Sequence, residues 1–374
     1  MRSSGWDYLK KSIRIIIVFL AFLASFGGGF ASAQTLIRDE SDLQSMHRLS
    51  EHVGGNVQRN DGYFEYQWPA VYFEARFYGS QVFFKIDDNY NRFRVLIDGH
   101  EIGNISRPLA SQYEVSGLTV TEHVIRLEKL SESLGQSGKF HGFYVQNTTL
   151  ARAAAHRQRR IEFIGDSYLA GYGNLSQSRQ CPRTLFDNTD NTKAYGPIVA
   201  RHFDADFQIN AYSGIGMVRN YANNLPSMPM SHFYGRPVYI EDTRSNPGDF
   251  QPQIILVALG TNDFSTPIGD NEKWRNNDEL IADYVQSHLQ FLQGLRAANP
   301  RAMILIAANI NARPNHVTAL AQVEAEFGQA DNNFHRVYLP KLENTGCDWH
   351  PNLNDHLSMA QIVISKINEL NPNW

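Results

Sequence analysis

The chain's 374 residues leave room for two domains, and 42% hydrophobic with 12% aromatic residues is the content of a protein that buries a real core. Charged residues make up only 19%, which excludes extended disorder outside the termini. A formal charge of −4 with no long basic run excludes a nucleic-acid partner.

The N-terminus has the three-part pattern of a secretory signal peptide over residues 1–33. Arg2, Lys10, Lys11 and Arg14 lead into an apolar run from Ile15 to Phe26 broken only by Ser25, and Ala31-Ser32-Ala33 supplies a cleavage site before Gln34. The run is too short for a membrane span, although a retained anchor is the alternative. Cleavage removes those four basic residues and Asp7, leaving 30 basic against 37 acidic residues and a formal charge of −7. The expected mature protein is secreted or periplasmic, free of the membrane, and suited by its acidity to a neutral substrate such as a polysaccharide. Of the two cysteines, Cys181 and Cys347, the count alone allows a disulfide or two thiols.

Residues 34–150 read as an all-β domain, an antiparallel sandwich or barrel. "AVYFEARFYG" (70–79) alternates, and "QVFFKID" (81–87) follows across Gly79-Ser80, which predicts a tight hairpin. "RFRVLIDGHEI" (92–102) turns at Asp98-Gly99, and "HVIRLEKL" (123–130) and "FHGFYVQN" (140–147) complete the set. The basic, Ala-rich residues 151–160 read as a linker.

From 161 to 374 apolar bursts alternate with longer segments: "IEFIG", "DFQINAYSG", "QIILVALG", "AMILIAAN" and "HRVYLP". Ile281, Val285, Leu289, Leu292 and Leu295 fall on one helical face, with Asn276 and Glu279 as an N-terminal cap and Pro300 beyond the end. "SMAQIVISKINEL" near the C-terminus is also helical. Strands alternating with helices predict a parallel sheet covered on both faces, with reactive groups just past the strand C-termini.

Polar groups stand at those ends. They are Gly165-Asp166-Ser167, then Ser213-Gly214-Ile215-Gly216, then Gly260-Thr261-Asn262-Asp263, and later "GCDWHPNLNDH" (346–356). Acyl transfer needs a nucleophile, a base and donors aimed at the oxyanion. Ser167 would open a helix, Gly214 can bring a backbone N–H close, Asn262 offers an amide, and His350 is a base with Asp348 two residues before it. Each alone also reads as a cap, a turn or a structural residue; their joint order is what points to a site. Asp166 and Asp263 read as loop and cap hydrogen-bonders, and His356 as a helix-start residue. His350 and His356 share no partners at zinc spacing, so no metal is expected.

The order Gly165-Asp166-Ser167, Gly214, Gly260-x-Asn262-Asp263 and His350 resembles the four blocks of the SGNH (GDSL-type) hydrolases. The nucleophile elbow G-x-S-x-G is absent, because Leu169 stands where its second Gly would be. Within that group the chain most resembles carbohydrate esterase family 2, whose Gly-Cys-Asp-Trp-His-Pro motif matches residues 346–351 in full. The resemblance implies a jelly-roll β-sandwich followed by an α/β/α, flavodoxin-like SGNH hydrolase domain. It implies Ser167 as nucleophile, His350 as base and then acid, and an oxyanion hole of the Ser167 N–H, the Gly214 N–H and the Asn262 side chain. It implies no cofactor, and acetylated xylan or glucomannan as substrate.

The broader pattern places the acid three residues before the His, where this chain has Cys347. Asp348 is expected as the triad acid, as in some family members, while others orient the His by a backbone carbonyl. Trp349 and Tyr172 could stack on a sugar ring or serve as core aromatics. A Cys181–Cys347 bridge would tie the two active-site segments together. Two rival functions remain, an SGNH lipid esterase or thioesterase and a non-catalytic carbohydrate-binding protein. The intact Ser167, Asn262 and His350 argue against the second.

Overall fold

A computed structural model describes residues 34–374 apart from 134, 246–248, 310–311 and 373; the expected signal segment lies outside the described residues. The N-terminal strands are β1 Thr35–Asp39, β2 His47–Arg48, β3 Glu51–Gly54, β4 Val57–Asn60, β5 Tyr63–Tyr66, β6 Tyr72–Gly79, β7 Val82–Asp88, β8 Arg92–Ile97, β9 His100–Ser106, β10 Leu109–Ser116, β11 Thr121–Lys129 and β12 Gly138–Val145. They form two antiparallel sheets, one ordered β1-β10-β7-β12-β5-β4 with β2 beside β12, the other β3-β6-β11-β8-β9. The alternation predicted from sequence is real: Phe93, Val95 and Ile97 of β8 point inward together. Phe73 of one sheet stacks on Phe140 of the other with ring centroids 4.2 Å apart, which puts the sandwich core between them.

The Asp98-Gly99 hairpin forms, with both residues at positive φ (52° and 79°), as a type I′ turn requires. The expected hairpin at Gly79-Ser80 does not. β6 pairs with β3 and β11, whereas β7 pairs with β10 and β12, so this short link carries the chain from one sheet to the other. Both strands carry an apolar face, and a two-residue link serves a corner as well as a hairpin. The long ladder between β6 and β11 decides the outcome.

Residues 151–158 connect the halves, and β13 Arg159–Gly165 takes in Arg159 and Arg160 from the predicted linker. With β14 Ala205–Ala211, β15 Ile254–Ala258, β16 Met303–Asn309 and β17 Phe334–Leu339 it makes a parallel sheet ordered β14-β13-β15-β16-β17. The helices are α1 Ser167–Ala170, α2 Leu185–Asn188, α3 Tyr195–His202, α4 Met230–Phe233, α5 Asn277–Ala298, α6 Pro314–Ala330 and α7 Leu353–Leu370. Both faces of the sheet are covered, which is why its strands read as continuous apolar runs. Ile161, Phe163 and Leu256 pack with α3 and α7, while Ile164, Ile255 and Val257 pack with α5 and α6. Asn276 caps α5 through the Glu279 N–H at 3.0 Å. α7 starts five residues before the predicted segment, at an Asn352–Asp355 capping box.

Sandwich and α/β domain share one buried boundary. Its centre is Asp206, whose Oδ1 accepts from Tyr72 Oη at 2.6 Å and contacts His52 Nε2 at 2.8 Å, with Arg157 at 3.4 Å. Burial raises the pKa of this carboxyl, but those partners outweigh it and hold it below the usual value. The stabilisation is therefore present above the unfolded carboxyl pKa of about 3.9 and is lost as pH falls through the lower folded value. Asp206→Ala should cost about 3–5 kcal/mol by stranding its partners. A urea midpoint equal to wild type, with unchanged slope, would contradict this.

Candidate active site

β13 lies between β14 and β15, where successive connections leave in opposite directions and a crevice opens past the strand ends. Gly165 ends β13 where no side chain fits: a Cβ there would lie 2.9 Å from Ala258 O and 2.6 Å from Leu169 Cδ1. Asp166 then caps α1 by accepting the Tyr168 N–H at 3.0 Å, and Ser167 is the first helical residue. α1 has only four residues and ends at Gly171 (φ 72°), so single N–H groups rather than a long helix dipole face the crevice.

β14 runs into Tyr212-Ser213-Gly214, with Gly214 at φ 85°. Beyond it the chain is gathered by Asp263, whose carboxylate accepts the N–H groups of Met217, Val218 and Arg219 at 2.9, 2.8 and 2.9 Å. Asn262 donates to Ile215 O at 2.7 Å, which leaves its second N–H only a 3.4 Å contact with Asp166 Oδ2. As the sequence suggests, Asp166 and Asp263 are scaffold groups. Burial pushes them up to about 7 and about 6.

His350 follows a short turn, Cys347–Trp349, ahead of α7. Its Nε2 lies 2.9 Å from Ser167 Oγ. Its Nδ1 faces two main-chain oxygens, Cys347 O at 3.0 Å and Asp348 O at 3.1 Å. A nitrogen between two acceptors carries the proton, which leaves Nε2 bare to accept the Ser167 O–H. Burial lowers the His350 pKa more than these acceptors raise it, which favours the neutral ring.

The Asp348 carboxylate, expected on the ring, is elsewhere. Asp348 and Trp349 sit at φ 51° and 65°, and this left-handed backbone turns the Asp348 carbonyl toward the ring and its side chain toward Tyr172. Tyr172 Oη donates to Asp348 Oδ2 at 2.8 Å, and the Tyr172 ring lies against the imidazole at 4.2 Å. Trp349 is 64% exposed, with the Arg179 guanidinium 3.7 Å over one ring face. Cys181 and Cys347 are disulfide-bonded.

Three neighbours had no signal in the sequence. Arg179 is locked by Asn344 O and Glu343 O at 2.8 and 3.0 Å, and Tyr168 meets the His350 ring edge-on at 5.8 Å. Glu132, from the sandwich, accepts from Ser213 N and Oγ. A serine hydroxyl 2.9 Å from an imidazole nitrogen, past the end of a central parallel strand, is equipment for acyl transfer.

Residues 53–153 match the family model described as carbohydrate esterase 2 N-terminal, and residues 163–352 match the GDSL-like lipase/acylhydrolase family. An acetylxylan esterase/glucomannan deacetylase from Cellvibrio japonicus is 37% identical over 333 residues, spanning 87% of this chain and 92% of that protein. The chain belongs to carbohydrate esterase family 2. A solved carbohydrate esterase of 36% identity aligns with a TM-score of 0.81 over 86% of this chain and 98% of its own. A family two carbohydrate esterase from Clostridium thermocellum, in complex with cellohexaose, is 25% identical with a TM-score of 0.76 over 86% and 99% of the two chains. The two-domain architecture is thus that of the family, and the protein is a carboxylic ester hydrolase acting on carbohydrate.

In this esterase the disulfide closes a loop 166 residues long and anchors the turn whose carbonyls hold His350. Replacing both Cys181 and Cys347 by Ser should cost about 2–4 kcal/mol of unfolding free energy. Denaturant unfolding of the purified variant measures it, and an unchanged midpoint would contradict the expectation.

Proposed function

We propose that this esterase is a secreted deacetylase of plant polysaccharide, acetylated xylan or glucomannan, working through an acyl-enzyme at Ser167. The observation that carries the mechanism is the 2.9 Å contact of Ser167 Oγ with an imidazole nitrogen whose tautomer is fixed from behind. Ser167 Oγ attacks the acetyl carbonyl as its proton passes to His350 Nε2. The Ser167 N–H, the Gly214 N–H and the Asn262 amide receive the oxyanion. His350 then returns the proton to the departing sugar hydroxyl, and a water repeats both steps to release acetate.

Two carbonyls take the place of the triad carboxylate. Asp348 contributes its main-chain oxygen to the ring and its side chain to Tyr172. With Tyr172 engaged by His350 and Asp348, the exposed face of Trp349 is the better platform for a sugar ring. The substrate choice draws on the name of the Cellvibrio japonicus relative. Secretion draws on the N-terminal pattern and the disulfide.

Acetate release from acetylated xylan and glucomannan tests the mechanism. Ser167→Ala and His350→Ala should each lose about 10⁴-fold or more in kcat, whereas Asp348→Ala should stay within about tenfold of wild type. Full acetate release by Ser167→Ala would sink the acyl-enzyme, and collapse of Asp348→Ala would restore the carboxylate to the triad.

The base works only when neutral, and burial lowers its pKa. Activity should therefore persist below the ordinary histidine value of about 6.5. The acid limb of a kcat/KM profile reads this directly, and a midpoint above that value would contradict it.

A further inference from the structure

Glu132 lies in the turn between β11 and β12, inside the sandwich domain, yet its carboxylate points into the other domain. Oε1 accepts the Ser213 main-chain N–H at 2.7 Å and Oε2 accepts the Ser213 hydroxyl at 2.5 Å. Burial raises the pKa of this carboxyl more than the Ser213 bonds and Lys129 lower it, and its two bonds to one residue restrain both that residue's backbone and its side-chain rotamer. The next residue is Gly214. With φ at 85° and only Tyr221 Cβ, at 3.9 Å, near where a Cβ would stand, Gly214 has no side chain to hold its N–H direction. Its restraint has to come from neighbours: Tyr221 N–H on the Gly214 carbonyl at 2.8 Å, and Glu132 on Ser213.

The Glu132 turn is rigid enough for the task. Ser131, 1% exposed, accepts the Arg92 N–H at 3.0 Å on its hydroxyl oxygen and donates that hydroxyl to Asn91 Oδ1 at 3.0 Å. Its carbonyl accepts from the buried Lys129 Nζ at 2.5 Å. Asn191 N–H holds Leu130 O at 2.7 Å, and Tyr239 Oη holds Ser133 O at 2.6 Å, both from the α/β domain. The turn is thus pinned from both domains.

We propose that Glu132 is a positioning residue for ester hydrolysis, through which the sandwich domain fixes the Gly214 N–H in the direction the oxyanion needs. This rests on the reading of Gly214 as an oxyanion donor. No proton moves to or from Glu132. Its effect passes through Ser213, and the sandwich becomes part of the catalytic unit even for an ester too small to touch it.

The test uses the full chain with 4-nitrophenyl acetate, comparing Glu132→Ala, Glu132→Gln, Glu132→Asp, Ser213→Ala and the Glu132→Ala/Ser213→Ala double variant. Oxyanion contacts form in the transition state, so Glu132→Ala should lower kcat about 10- to 100-fold with KM within about twofold. Glu132→Gln keeps an acceptor for the Ser213 N–H and should recover most of that loss. The double variant should be no worse than Glu132→Ala, because both changes cut one connection. Glu132→Asp keeps the charge but falls short of Ser213, and should lose about tenfold in kcat even if Glu132→Ala fails to fold.

Wild-type kcat in Glu132→Asp or Glu132→Ala, a rise in KM alone, or losses that multiply in the double variant would each overturn the proposal. Wild-type kcat in both Glu132→Ala and Glu132→Asp beside a dead Ser167→Ala would overturn this inference alone. Turnover surviving in Ser167→Ala would instead overturn the reading beneath it.

Discussion

The two carbonyl oxygens that converge on His350 Nδ1 decide which ring nitrogen is left to meet Ser167, and the pairing of the two side chains follows from that. A carboxylate would orient the ring and also offset the imidazolium charge; neutral carbonyls orient it with less charge compensation. Such acceptors work only if the backbone cannot relax away. Here two successive residues, Asp348 and Trp349, are held in the left-handed region, which L side chains populate at a cost. The Cys181 bridge, the Gly346 N–H on His350 O at 2.9 Å and the Asp348 N–H on Arg179 O at 3.0 Å hold them there. Gly173 allows the tight approach, since a Cβ at that position would lie 2.3 Å from Cys347 Cβ. A turn fixed from this many directions keeps both carbonyls on His350 Nδ1.

The other wall of the site is held in a complementary way. The Gly214 loop leaves the end of β14 and is gripped on its far side by Asp263, which collects three consecutive N–H groups. On its near side Ser213 meets Glu132 from the sandwich. The sandwich is joined to the α/β domain by buried contacts such as Trp68 Nε1 on Arg236 O at 2.7 Å and Arg94 on Asp190 at 2.6 Å. Movement between the domains would therefore be felt at Gly214. Sheet topology places Ser167, Gly214 and Asn262 past neighbouring strand ends, and Glu132 ties one of those ends to the sandwich.

Sequence was informative where physics is local. The apolar bursts of the parallel sheet stand out because both faces are buried, and α5 because its stripe and its Asn276 cap fall on helical spacing. Ser167, Gly214, Asn262 and His350 were legible as candidates because the loops past strand ends are where such a sheet exposes polar groups, and the structure brings Ser167 and His350 within 2.9 Å. It failed where the answer lies far along the chain. Whether β6 and β7 form a hairpin depends on β11 and β12, which compete for them. The side chain of Asp348 depends on two φ values and on Tyr172, more than 170 residues earlier. Glu132 carries no mark in its own segment, because its partner belongs to another domain.

The buried carboxylates at the site show what this arrangement costs. Asp166 and Asp263 are pushed up to about 7 and about 6, chiefly by burial, with mutual repulsion adding to Asp166. A folded-state pKa above the unfolded one means the fold prefers the protonated acid. The stability from that preference is complete below the unfolded value of about 3.9 and is lost as pH rises through the folded values. Near neutral pH these two groups therefore oppose folding. Apolar residues would be more stable in the same volume, but they could not hold the Tyr168 N–H at the Ser167 turn or gather three N–H groups behind Gly214. The same two loops carry Ser167 and Asn262, so the stability given up is spent where the proposed catalytic groups have to be aligned.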